Sequence, residues 1–161
     1  MVNLLSPSNK VRIFAIFARN DKLSVLFSIS LLGVIILFSH IVIGADDTQK
    51  AKVFYDATLG ALGYEPGAMS DTGRVMYMTE EHIFAVTKPL NGEPAGAGNG
   101  ETIGFIAKSS EQCDAWHAAG VANGGTAIED PPGVREMGEL KFYLAYLRDP
   151  AGHKLCTMYR M

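Results

Sequence analysis

Two kinds of apolar pattern alternate along this chain. Residues 39–45 (Ser-His-Ile-Val-Ile-Gly-Ala) are rich in Ile and Val over a strand-sized length, and Asp46-Asp47-Thr48 then offers side-chain oxygens to cap a helix. From there the spacing lengthens. Val53, Phe54, Ala57 and Ala61 recur at helical intervals, while Lys50, Lys52 and Asp56 supply polar positions between them. Gly60 and Gly63 fall where such a helix should stop, Gly63 being the natural left-handed cap. The pattern therefore predicts a strand, an acidic turn and an amphipathic helix, with one residue unusual for a strand core, His40.

The same order returns about sixty residues later. His40-Ile41-Val42-Ile43-Gly44-Ala45 lies over Thr102-Ile103-Gly104-Phe105-Ile106-Ala107, and Asp47-Thr48-Gln49 over Ser109-Ser110-Glu111, a second cap cluster. Phe54-Tyr55 lies over Trp116-His117, so Phe54 and Trp116 are expected to anchor the two helices to their sheets. After the first helix, residues 74–79 and 82–87 read as short strands flanking a Glu80-Glu81 turn. After the second, residues 126–129, 141–148 and 153–159 do the same. The last two are joined by Asp149-Pro150-Ala151-Gly152, in which proline presets φ and glycine takes the left-handed position. Gly, Pro and Asn fill residues 90–100 and link the halves. The chain reads as α+β: two βαβββ modules, with module one over 37–90, a linker over 91–100 and module two over 101–161.

Residues 1–36 change the picture at one end only. Lys10, Arg12, Arg19 and Lys22 precede an apolar run from Leu23 into the first strand, as in a signal anchor with its basic end in the cytoplasm. If the strand keeps its own residues, the run left over, 23–37, spans roughly 22 Å at 1.5 Å per residue, against about 30 Å for a hydrocarbon core. Three readings stay open: a start site placed too far upstream of a cytoplasmic domain beginning near Leu37, a membrane anchor, and a docked helix.

Composition narrows the function classes. Nearly half of the 161 residues are apolar, which suits a packed core, and a formal net charge of −3 with no basic cluster beyond the N-terminal extension excludes a nucleic-acid surface. Cys113 and Cys156 have no CxxC spacing and read as free thiols of a reducing compartment.

With these residues in place, the chain resembles the vicinal-oxygen-chelate superfamily, which includes glyoxalase I, bleomycin-resistance proteins and extradiol dioxygenases. The resemblance runs from about Leu37 to Met161. It rests on the strand carrying His40, on Phe54-Tyr55-Asp56 followed by Leu59-Gly60 and Leu62-Gly63, and on Arg148-Asp149-Pro150-Ala151-Gly152-His153-Lys154. It implies paired modules forming a cupped sheet, a small-molecule ligand and a homodimer. In metal-using members each module gives one ligand from its first strand and one from its last. Those positions here are His40, Ala85, Thr102 and Cys156. A divalent metal needs about three good protein donors. Ala has none and a Thr hydroxyl is a poor one, so only His40 and Cys156 remain and no resident cofactor is expected.

The expected pocket is lined by His40, Ala85, Thr102, Tyr143 and Cys156. Tyr143 enters because alternation across the Asp149–Gly152 hairpin would put it on the face of Cys156. His40 is the candidate acid/base. The favoured reading is a metal-independent small-molecule binder. The alternative is a glyoxalase-like lyase or isomerase, or a dioxygenase, acting on a small carbonyl or a glutathione adduct.

Overall fold

A computed structural model of the chain describes residues 38–161. The basic and apolar extension expected over 1–36 lies outside them, and among the described residues no helix is long and apolar enough to cross a membrane.

Module one contains β1 (His40–Gly44), α1 (Thr48–Ala61), β2 (Ala68–Met69), β3 (Val75–Met78) and β4 (Ile83–Thr87). Its sheet runs β1-β4-β3-β2, with β1 parallel to β4 and the other pairs antiparallel. Module two contains β5 (Ile103–Ile106), α2 (Ser110–Ala122), β6 (Thr126–Ala127), β7 (Gly133–Met137), β8 (Leu140–Arg148) and β9 (Lys154–Arg160). Its sheet runs β5-β9-β8-β6, and β7 adds a hairpin to β8. The α+β duplication read from the sequence is therefore present. The pattern had not marked β2, which is only two residues long, or β7, whose Arg135 and Glu136 interrupt an apolar signal.

Both helices are closed as their sequences dictate. Asp47 accepts the Lys50 N–H at 2.9 Å and Ser109 accepts the Gln112 N–H at 3.3 Å, satisfying donors that a first helical turn leaves free. Gly63 and Gly124 stop the helices at φ of 92° and 93°. The buried stripe of α1 differs from the one expected. Val53 is exposed, while Ala51, Phe54, Tyr55, Thr58 and Leu59 face inward, at i, i+3, i+4, i+7 and i+8. Two polar residues fit this stripe because each has a partner. Thr58 Oγ1 donates to the Phe54 carbonyl at 2.9 Å, and the Tyr55 hydroxyl donates to Asp149 at 2.7 Å.

One continuous core joins the modules, and α1 packs directly on α2. Phe54 and Trp116 are both fully buried, as the repeat implied. Gly120 lets the helices approach, since a Cβ there would overlap the Leu147 side chain and press on Thr58 and Phe54 at 3.2 and 3.3 Å. Overpacking of this kind costs about 1–3 kcal/mol. Gly120→Ala should lower the unfolding free energy by that much, read as a lower urea midpoint with no change in the denaturant slope; an unchanged midpoint would mean that Leu147 moves aside freely.

Candidate functional site

In β1, Ile43 packs into the core with Ile41 against it, so alternation turns His40 and Val42 to the sheet face that carries no helix. His40 is exposed, and its Nδ1 lies 2.9 Å from the Ser39 hydroxyl. Ala85 sits beside Val42 and Met76 on that face and is 2% exposed. In module two, Cys156 lies between Gly104 and Tyr146, also on the helix-free face, and Thr102 is exposed just ahead of β5. The four positions are thus divided two and two between separate sheets. Only His40 and Cys156 offer a strong donor, and among the described residues no three of His, Cys, Asp and Glu are grouped to hold a metal ion.

Tyr143 does not join them. The β8–β9 connection spans five residues, closed by Asp149 N–H to the His153 carbonyl at 3.0 Å, so Tyr143 pairs with Tyr159 and Tyr146 pairs with Cys156. That one-residue difference from the expected hairpin moves every side chain of β8 to the other face. Tyr143 therefore packs against the core, and its hydroxyl donates to Asp114 of α2 at 2.8 Å.

Tyr146 takes the place expected for Tyr143. Lys154 Nζ stands 5.1 Å above its ring and is ion-paired to Glu129, which holds a left-handed φ of 59° uncommon for a residue with a side chain. Burial, helped by the neighbouring Cys156, pushes the Tyr146 hydroxyl up to about 12. Burial likewise pushes the Cys156 thiol up to about 11, although the Tyr146 hydroxyl works against it. At neutral pH the pair is therefore a phenol beside a thiol. Neither is a nucleophile, since thiol reactivity follows the thiolate.

A larger feature opens next to His40. A cleft of about 500 Å³ is walled by Ile41, Leu59, Tyr64, Tyr77, Phe84 and Phe105, with His40, Thr79, Glu81 and His82 exposed at its entrance. Both modules contribute. Phe84 of β4 meets Phe105 of β5 edge to face at 5.5 Å, and Tyr55 of α1 meets Phe84 at 4.9 Å. The Tyr77 hydroxyl donates to Asp56 at 2.9 Å, which fixes its ring as a wall. No Lys or Arg is among the lining residues described. Thr102 instead borders a second, polar cleft with Arg148, Lys154 and the glycine-rich linker. None of the aromatic walls was anticipated as part of a pocket. The available signal was the alternation of β3, β4 and β5, which puts Tyr77, Phe84 and Phe105 on faces directed at the shared core.

The duplicated α+β fold matches one family. Residues 37–157 match the model of the Glyoxalase/Bleomycin resistance protein/Dioxygenase superfamily. The chain belongs to that superfamily. A solved glyoxalase/bleomycin resistance protein from Albidiferax ferrireducens T118 is 53% identical, over 76% of this chain and 98% of that one, with a TM-score of 0.74. More distant solved members share the fold. They include a glyoxalase/bleomycin resistance protein/dioxygenase family enzyme from Burkholderia phytofirmans PsJN, at 18% identity over 74% of this chain and 95% of that one (TM-score 0.57). A lactoylglutathione lyase from Agrobacterium tumefaciens is 20% identical over 75% and 91% of the two chains (TM-score 0.53). No curated protein sequence matches significantly.

The pair of half-buried phenol and buried thiol has a chemical signature. Cys156 should react with a disulfide reagent at pH 7.5 at least about tenfold more slowly than a free thiol, because its thiolate fraction is small and its access restricted. Labelling monitored by intact mass checks this, with Cys156→Ser identifying the site. A burst of labelling at Cys156 would contradict the burial described here.

Proposed function

We propose that this superfamily member is a metal-independent small-molecule-binding protein that takes its ligand in the aromatic cleft beside His40. The observation that carries this reading is an aromatic, cation-free cleft that His40 alone of the four ligand-equivalent positions reaches, with no group of three metal donors among the described residues. Pockets of about 300–1,000 Å³ lined by aromatic residues with a few polar groups suit drug-sized molecules. A glutathione adduct carries several charges, and the lining described offers it no cationic partner. Apolar or aromatic ligands with one hydrogen-bonding group fit better. Cys113 and Cys156 are both free and buried, which supports a cytoplasmic site of action.

The lyase or isomerase reading keeps one favourable observation. His40 is exposed at the cleft entrance with Nδ1 next to the Ser39 hydroxyl, leaving its other ring nitrogen free to move a proton. A homodimer is the proposed assembly. The helix-free face of module one exposes Val42, Met78 and Ile83, and that of module two exposes Ile106 and Met158, apolar surface that a second copy would cover.

Metal titration followed by melting tests the central reading. Adding Ni, Zn, Mn or Fe to the full chain should leave Tm unchanged, whereas a cleft ligand at 100 times its Kd should add about 2.7 kcal/mol of stability. His40→Ala should keep ligand affinity within about threefold, because the apolar walls supply most of the binding energy. A stoichiometric metal with a matching rise in Tm, or loss of a measured turnover by orders of magnitude in His40→Ala, would replace the binder with an enzyme.

A further inference from the structure

His153 is nearly sealed from solvent, at 3% exposure, and sits between three parts of the chain. Its backbone belongs to the β8–β9 loop, where the Asp149 carboxylate accepts its N–H at 2.9 Å. Its Nε2 lies 2.8 Å from the carbonyl of Gly44, at the end of β1 in module one. Its Nδ1 lies 2.6 Å from Oε1 of Glu101, the first residue after the linker. Both neighbours are acceptors only. A carbonyl has no proton to give, and neither has a carboxylate. A neutral imidazole carries one N–H and one lone pair, so it would set that lone pair against an oxygen. The arrangement requires one proton more than a neutral histidine and a carboxylate possess between them.

We propose that His153 is a proton-dependent positioning residue, a clasp that ties the last residue of the cleft-lining strand β1 to the segment just ahead of the cleft-lining strand β5. Gly44 closes the same strand that brings His40 and Ile41 to the cleft, and Glu101 stands two residues before β5, which brings Ile103, Gly104 and Phe105 to it. Among the described residues β1 is an edge strand paired with β4 alone, and the bond from His153 to Gly44 holds its outer edge to module two.

The charged groups around the clasp come from every element that packs on it. Glu101 and Asp149 face the ring as anions, and Arg148 acts on Glu101 from β8. The Tyr55 hydroxyl of α1 donates to Asp149, Asp46 holds the linker through the Ala95 N–H at 2.7 Å, and Lys154 borders the adjoining polar cleft. Burial pulls the His153 pKa down, but the hydrogen bonds to the Gly44 carbonyl and to Glu101 outweigh it, and the net shift is upward. Burial pushes Glu101 up, and its hydrogen bonds, chiefly that from His153, bring it below the ordinary carboxyl range.

The signs follow from linkage. The stability held by His153 is fully present below its unfolded-state value of about 6.5 and is lost as pH rises through the higher folded-state value. That held by Glu101 is present above about 4.3 and is lost as pH falls through its lowered value. The clasp is strongest between those limits.

Long-range nitrogen–proton NMR on the uniformly labelled full chain reads the ring directly. His153 should show two protonated ring nitrogens at pH 6 and convert to the neutral form above its ordinary range; a single ring proton from pH 5 to 9 overturns the proposal. In Glu101→Gln the ratio of imidazolium to neutral ring at pH 7 should fall at least threefold, and an unchanged ratio counts against the clasp. Wild-type Tm should decline from pH 6 to 9 in step with the His153 titration and decline less in His153→Gln. Should His153→Gln fail to fold, the Glu101→Gln comparison carries the test. Coupling to the cleft rests on the binding reading above and is probed with the neutral fluorophore N-phenyl-1-naphthylamine. Its affinity should weaken several-fold as His153 deprotonates, and a pH-independent affinity would overturn the positioning role. If the fluorophore binds at no pH, the cleft reading fails, while the NMR and melting data still judge the clasp.

Discussion

The Asp149 carboxylate joins the β8–β9 loop to the helix of the opposite module. One oxygen takes the N–H groups of Ala151 and His153 at 2.9 Å each, which shapes the β8–β9 loop; the other takes the Tyr55 hydroxyl at 2.7 Å, which ties that loop to α1 in the opposite module. A buried acceptor saturated in this way is costly to disturb, because any partner left over is desolvated without compensation. Loop length sets the register of β8 against β9, and the register decides which tyrosine faces Cys156. The same loop delivers His153 to Gly44. Topology, site composition and the contact between modules thus pass through one side chain.

At the four positions that the resemblance marks as ligand sites, the expected His40, Ala85, Thr102 and Cys156, only the imidazole and a thiol held in its protonated form carry a strong donor atom. The described residues also present aromatic surface shared by both modules, built from Tyr77 of β3, Phe84 of β4 and Phe105 of β5. A fold that hosts several reactions is compatible with either use, so function has to be argued from the site.

Much of this was legible from residue pattern. The repeat, the helix caps, the terminating glycines and the duplicated α+β plan depend on local rules: alternation, cap chemistry and positive φ. The failures share a different origin. Val53 fits a helical stripe as well as Tyr55 does, and only the partner Asp149, 94 residues away, makes the tyrosine the buried one. Tyr143 was assigned to the wrong face because one residue of loop length reverses a strand and nothing local fixes that count. The aromatic cleft has walls from four strands, a helix and a loop spread over both modules, which no local pattern brings together. His153, beside a turn, looked incidental until Gly44 and Glu101 stood next to it.

The contact between α1 and α2 carries a further implication. Thr58 and Gly120 occupy equivalent places in the two modules, sixty-two residues apart in this sequence, and they meet one another across the helix pair. In a symmetric pair of identical modules, a residue at such a place faces its own copy and must suit itself: two threonines would crowd, and two glycines would leave a gap. Joining the modules in one chain lifts that restriction. One side can keep a methyl and a hydroxyl while the other gives up its side chain altogether, which lets Phe54 and Leu147 close in around the vacated space. Covalent fusion thereby makes a lopsided, tighter seam available that no self-associating single module could adopt.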